Sequence, residues 1–494
     1  MPRTIFGTTE KSNFVLNMKD ETFRKLVLIL LGLLCLLTAA GGIVTELLQE
    51  IIFASAAGTW VSLVICGVLA MMLALVGLVK KKYGKSMLIP SVLCGFFLLF
   101  GLVSVISSVN PNVAFFGSEA RRAGFMSLLF YAAFFFLGAV LNSGKLIRTF
   151  LNFFIIMGLL NCAWAAVQST GLLAYELYPF RNLNAILLND VFMLTGAAGN
   201  PAAFGILMSM CFAISLWFTH KLEKKKLLYC ISAPIFVFFA IRSGSAAGIL
   251  AVIAAIVIFI LLSIKAKKDP GQPARIFSVG TGVIIALAAV GGTVFNYFAP
   301  LVYNTQVKDY SVTESNPFYR EDPKIPEGMY FYDGAALWQD SWFRLFSSGP
   351  YDWPTAKFDI QKASSVYPYL WRTSVNGIPQ FPLGIGPDCF VYLTMNESMT
   401  VTENQNSFDR PCNDYLYIAV TQGIPGLLAY LGLLGITFFR FAKRKRPNGI
   451  PAEKYAAAAA LAVFAIAGFL GTDSMAVTPF AWIMLGTLNS SPES

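Results

Sequence analysis

The chain has 494 residues, of which 56% are hydrophobic and 13% charged, with 43 phenylalanines and a formal net charge of +10. Soluble domains carry about 25% charged residues, so this composition excludes an ordinary soluble enzyme and a disordered scaffold alike. The apolar residues fall in blocks of roughly 17–25, the length an α-helix needs to cross ~30 Å of hydrocarbon. The reading is an all-α polytopic membrane protein, and the surplus of positive charge asks for a membrane explanation first.

In chain order the apolar runs predict about twelve transmembrane helices, near 26–44, 52–79, 87–109, 125–141, 149–169, 199–219, 227–241, 247–264, 276–300, 414–439, 455–472 and 475–488. The alternate connections differ sharply in charge. The N-terminus, 80–85, 145–148, 221–226, 265–275 and 440–454 together hold 25 of the 37 basic residues. The opposite set holds 12, and 8 of these lie in one long loop, leaving 4 in its short connections. The positive-inside rule puts the basic set, with both termini, in the cytoplasm. The expected organisation is a cytoplasmic N-terminal segment 1–25, helices one to nine over 26–300, a large extracytoplasmic loop 301–413, helices ten to twelve over 414–488 and a cytoplasmic tail 489–494. Ala39, Ala40 and Gly41 mimic a leader-cleavage site, but the preceding apolar run is longer than a typical h-region, which favours a retained first span.

The loop 301–413 carries thirteen acids against eight bases and is dense in Tyr and Trp, including Trp338, Trp342, Tyr367 and Trp371. Such rings suit an interfacial belt, and their flat faces also suit sugars. A loop of this length is usually functional. The Ala456 to Ala460 run reads as close helix packing through small side chains.

Cys35, Cys66, Cys94, Cys162, Cys211 and Cys230 lie in predicted spans or at their ends, as small apolar side chains do. Cys389 and Cys412 share the outer loop, where a disulfide is the simplest pairing and two thiols the alternative. The sole histidine, His220, sits beside Lys221, which gives no zinc pattern. The sequence has no Walker-type loop or nucleotide fingerprint and no Asp-x-Asp pair in the outer loop, so neither cofactor nor metal is expected. Nucleic acid is not an expected partner. In-span acids and bases are nearly absent, which argues against ion-coupled export.

The outer basic residues outside the bulk of the loop are few: Arg121 and Arg122 within Gly117 to Gly124, Arg181 after Pro179, Arg242 before Ser243-Gly244-Ser245, Arg372 after Trp371, and Arg410 just before span ten. A guanidinium fork matches phosphate oxygens with two parallel hydrogen bonds, stronger in a partly dry cleft. The plainer alternative for each alone is snorkelling to lipid headgroups.

Several segments together resemble the O-antigen ligase and O-antigen polymerase family of bacterial membrane glycosyltransferases. Asp409-Arg410-Pro411-Cys412-Asn413-Asp414 through Gly426 is similar to the family segment in which a His-Asn pair ends the large loop and a Gly-Ile-x-Gly turn lies inside the next helix. Pro382-Leu383-Gly384-Ile385-Gly386-Pro387 resembles the family's Pro-Leu-x-Gly-x-Gly-Pro, with Trp371 where a preceding Trp stands. Gly199-Asn200-Pro201 and the arginine-bearing Gly117 to Gly124 match in family order.

The resemblance implies a GT-C-like helical fold in the bacterial cytoplasmic membrane. It also implies transfer or polymerisation of a glycan from a polyprenyl-diphosphate carrier onto a glycan, lipid or protein acceptor at the outer face, without metal or nucleotide. Arginines would stabilise the diphosphate leaving group, and a base would deprotonate the acceptor for an inverting displacement. Arg121, Arg122, Arg181, Arg242, Arg372 and Arg410 are the candidates for diphosphate or glycan; Cys412, Asp409 and Asn413 mark the catalytic position.

The chain also departs from the family. The family His falls on Cys412, the large-loop Arg on Tyr367, and the Ser-Arg near span eight on Gly244-Ser245. A bridged Cys412 takes no proton, whereas a thiolate does; Asp409 or Asp414, as exposed carboxylates, are the other bases. Whether the chain is an enzyme stays open here. A degenerate relative that binds lipid-linked glycan or an envelope-assembly partner is the second reading. A polysaccharide or lipid exporter is the third, and the lack of a polar in-span path argues against it.

Overall fold

The computed structural model describes residues 18–52, 57–118, 121–169, 194–221, 226–243, 245–267, 360–394, 410–443, 450–471 and 473–490. These residues form helices and no strand, as hydrocarbon demands of segments that must satisfy every backbone group internally. Helix α1 runs Asp20–Ile52, α2 Ala57–Val79, α3 Leu88–Ile106, α4 Pro111–Phe116, α5 Phe125–Val140, α6 Gly144–Ser169, α7 Pro201–Lys221, α8 Lys226–Arg242 and α9 Ala246–Lys267. Beyond residue 359 come α10 Ile360–Gln380, α11 Asp414–Thr421, α12 Gly423–Lys443, α13 Ala452–Ala467 and α14 Thr478–Asn489. Among the described residues α1, α2, α3, α6, α7, α9 and α12 are long and apolar enough to cross a membrane, and α5 and α8 are shorter apolar helices. The chain is a multi-pass membrane protein. The expected ninth span, 276–300, lies outside the described residues.

Helix α7 is the centre of the bundle. It packs on α8, α9 and α13, and residues 203–218 are buried without a break, Phe204, Ile206, Met208 and Met210 among them on different sides, the pattern of a helix with no solvent or lipid face. The Ala456–Ala460 run is wholly buried where α13 meets α7 and α9. Helices α5 and α14 approach until backbone meets backbone: a Cβ at Gly486 would fall on Phe135 O, and one at Gly138 on Ile483 O. Around the periphery Ile29, Leu75, Leu78, Ile106, Leu261 and Leu428 are exposed, an apolar belt suited to lipid.

One end of the bundle gathers the basic set. Arg440 donates to Ser86 O, and the Ser86 hydroxyl donates to Asn489 O at 2.9 Å. Lys454 Nζ donates to Ser490 O at 3.1 Å, Lys265 Nζ donates to Ala442 O at 2.8 Å, and Arg148 Nε meets Glu453 Oε1 at 2.9 Å.

Span ten is corrected. The run 414–439 reads as one helix by hydropathy, yet it is α11 and α12, broken at Gln422–Gly423, where Gly423 has φ +77°. Pro425 explains the break, because it has no N–H to offer Thr421 O four residues earlier. The freed carbonyls find other donors. Ile385 N–H bonds Val420 O at 2.9 Å, Gly386 N–H bonds Thr421 O at 3.1 Å, and the Ser104 hydroxyl also reaches Thr421 O. Gly384 (φ +91°) allows this approach, since a Cβ there would strike Thr421 O.

Replacing Gly486 by Ala is expected to destabilise the purified protein by about 1–3 kcal/mol through overpacking. Gly435→Ala, in a helix with open space around it, is expected to be neutral or stabilising by up to about 1 kcal/mol. Thermal unfolding in detergent reads both; equal shifts would contradict the close α5–α14 contact.

Candidate functional site

At the end of the bundle away from the basic set, Asp388 ties two distant segments together. Its carboxylate accepts from Ser118 N–H at 2.7 Å, the Ser118 hydroxyl at 2.8 Å and Ala123 N–H at 3.2 Å. Its own N–H donates to the Tyr417 hydroxyl at 3.0 Å. These bonds fix both sides of the loop that carries Arg121 and Arg122, both half-buried, with Arg122 held at φ +54°. Gly117 (φ +87°) closes the loop, where a Cβ would strike the Arg122 backbone.

The 410–414 turn packs beside this loop. Asn413 is the N-cap of α11: its Oδ1 accepts from Tyr415 N–H and Leu416 N–H, each at 3.0 Å, while its Nδ2 donates to Phe469 O at 3.1 Å. The side chain expected at a catalytic position is therefore committed to holding the helix start. Cys412 sits half-buried before it at φ +53°. Trp371 Nε1 donates to Pro411 O at 3.1 Å, tying α10 to this turn; Arg372, next on α10, is exposed.

Arg410 is buried. It donates to Asp473 O, and its guanidinium lies 5.3 Å from the centre of the Tyr417 ring. The structure holds its side chain on these protein partners. Asp473, between α13 and α14, accepts from the Thr478 hydroxyl. Burial pushes the Asp473 carboxyl above the usual carboxylate range, and the Arg410 charge opposes that.

Arg242 ends α8 and is buried. The α8–α9 turn it opens is close to the Asp473 segment, because Ala247 Cβ lies 3.6 Å from a Cβ placed on Gly471. The segments bearing Arg121, Arg122, Arg242, Arg372, Arg410 and Cys412 are thus linked by bonds or contacts at one end. Arg181 and Asp409 lie outside the described residues.

Two expectations change. Cys389 and Cys412 are not bridged. Cys389 is buried with its Sγ 3.8 Å from Asn110 O, and burial pushes its thiol up to about 12. Asp414 is not an exposed carboxylate but a buried one, its N–H bonded to Gly468 O at 2.8 Å. Sequence reasoning overlooked Asp473; the signal was an acid isolated between two apolar runs, which membrane cost makes unusual. Among the described residues no group of three or more His, Cys, Asp or Glu is placed to hold a metal ion.

Residues 231–431 match the family model of O-antigen ligase. Over that stretch, less than half of the chain, the protein is similar to the O-antigen ligase family. The matched stretch runs from within α8 to within α12, so it contains Arg242, Arg372, Asp388, Arg410, Cys412 and Asn413. No curated protein is found to match the chain.

Asp388→Ala is expected to strand three donors and cost about 3 kcal/mol or more of stability, since a bond to a charged group contributes about 1.5–3 kcal/mol. Asp388→Asn, which keeps one acceptor oxygen, should lose less. Thermal unfolding of both variants checks the order, and equal losses would contradict the carboxylate clamp.

Proposed function

We propose that the protein transfers a glycan from a polyprenyl-diphosphate carrier to an acceptor at the outer face of the bacterial cytoplasmic membrane, with both termini in the cytoplasm. The reading is supported by the O-antigen ligase match, which indicates glycan transfer within a membrane protein. The observation that carries it to a diphosphate is the linkage at one bundle end of the arginine loop, the α8–α9 turn and the 410–414 turn. Arg121, Arg122, Arg242 and Arg372 are assigned to the diphosphate. A fixed guanidinium stabilises the charge that develops on the departing phosphate oxygen without reorganising at the moment of reaction. Arg410, anchored to Asp473 and Tyr417, supports the site from behind. The domain organisation proposed with it is nine spans before a large outer loop and three after, the loop covering the acceptor while the lipid tail enters from the bilayer.

A second reading is favoured by one pair of observations: Cys412 stands where the family has His, and Asn413 is occupied as a helix cap. A relative that retains lipid-linked glycan without transferring it fits those facts.

Proteoliposomes containing the protein, a labelled polyprenyl-diphosphate saccharide and an acceptor glycan distinguish the readings. Transfer is expected to proceed in the presence of EDTA. Arg242→Ala should lower it by about 10²–10³-fold, the scale of a lost oxyanion-stabilising donor. Retention of the lipid-linked saccharide with no turnover would select the binding relative, and neither retention nor turnover would reject both.

A further inference from the structure

Behind the 410–414 turn lies a hollow of about 30 Å³, walled by Tyr131, Asp414, Tyr417, Gln422, Asp473 and Trp482 among others. One water needs roughly 10–15 Å³ by this measure, so the space suits about two waters and no sugar. Three wall atoms have no hydrogen-bond partner among the described residues: Asp414 Oδ1, Tyr131 Oη and Gln422 Oε1. Their side chains are 7%, 1% and 2% exposed. A buried polar atom left unbonded costs about 1–3 kcal/mol, and waters in a polar hollow remove that cost.

Asp414 is buried here and Asp473 half-buried, with the Arg410 guanidinium beside Asp473. Asp473 is further engaged by the Thr478 hydroxyl, whereas Asp414 turns one oxygen toward Gly468 and leaves Oδ1 on the hollow. Asp414 lies ahead of the long apolar helix α12. The charged groups facing it are Asp473 and Arg410. The other titratable groups facing it are Tyr131 from α5, Tyr415 from α11 and Tyr430 from α12. A carboxylate oxygen left unbonded on a water-sized hollow can take a proton through that water.

We propose that Asp414, reached through the water of this hollow, takes up the proton released by the acceptor hydroxyl during glycan transfer. The inference rests on the transfer reading above and supplies the proton acceptor that Cys412 leaves unassigned. The acceptor oxygen forms its bond to the anomeric carbon as the bond from that carbon to the diphosphate oxygen breaks. The electron pair leaves on the diphosphate. The hydroxyl proton moves along water to Asp414 Oδ1, and the carboxylic acid later returns it to water. Asp473 and Arg410 are positioning residues that set the acceptor's affinity.

The test uses the full chain in proteoliposomes and compares wild type with Asp414→Asn, Asp414→Glu and Tyr131→Phe. Wild-type transfer is expected to fall as pH drops and Asp414 becomes protonated. Asp414→Asn should lower transfer by about 10²-fold or more and abolish that acid limb, with lipid-linked saccharide retention unchanged. Asp414→Glu should restore part of the rate together with an acid limb. Infrared spectra at acid pH should show a carboxylic C=O band that shifts in heavy water and disappears in Asp414→Asn. Tyr131→Phe, which keeps both acids, should slow transfer several-fold with retention unchanged, and it remains decisive if the Asn variant does not fold. An active wild type whose rate and pH profile are unaltered by Asp414→Asn, or by Tyr131→Phe where Asn does not fold, overturns this inference alone. An inert wild type overturns it together with the transfer reading.

Discussion

A carbonyl deprived of its helical donor inside a membrane must find another donor in the protein, because hydrocarbon offers none. Thr421 O is that carbonyl, and the ring of Pro425 is the reason. The amides of Ile385 and Gly386 and the Ser104 hydroxyl answer it. That requirement brings the 382–389 stretch against the end of α11, and two residues beyond Gly386 the Asp388 carboxylate reaches the loop holding Arg121 and Arg122. A single missing N–H therefore positions segments up to 270 residues apart in the chain. The glycines at 384 and 423 permit the contact through backbone conformations that side chains rarely adopt.

The two ends of the bundle use charge differently. Lys265 and Lys454 donate to carbonyls at the C-terminal ends of α12 and α14, where a cation offsets the negative pole of the helix dipole, and Arg440 donates to Ser86 O ahead of α3. At the other end Arg410 lies over an aromatic ring and beside the half-buried Asp473. The first arrangement ties helix ends together, and in the second the drier surroundings let each charge act more strongly.

Most of the scaffold was legible in the sequence because its signals are local. Apolar length predicts α1 to α3 and α5 to α9, and the run of small residues from Ala456 announces the α13 contact. Hydropathy failed at 414–439, since a window average registers neither the left-handed backbone at Gly423 nor a missing amide at Pro425. The family-like Gly-Ile-x-Gly turn did carry that information. The candidate site was legible in its residues more than in their tasks. The arginine-bearing segments named from the sequence are linked by contacts at one end, but Arg410 has inward partners and Asn413 is a cap, facts that depend on contacts with Asp473 and Phe469 some sixty residues downstream. The Cys389–Cys412 pairing failed because two cysteines in one loop say nothing about which way each faces; Cys389 turns toward Asn110.

The most direct test of the account is a structure of the full-length protein with a polyprenyl-diphosphate saccharide bound. The account predicts diphosphate oxygens against the loop pinned by Asp388 and the end of α8, with the anomeric carbon facing the 410–414 turn. Density for the diphosphate at the opposite end, among Lys265, Arg440 and Lys454, would contradict it.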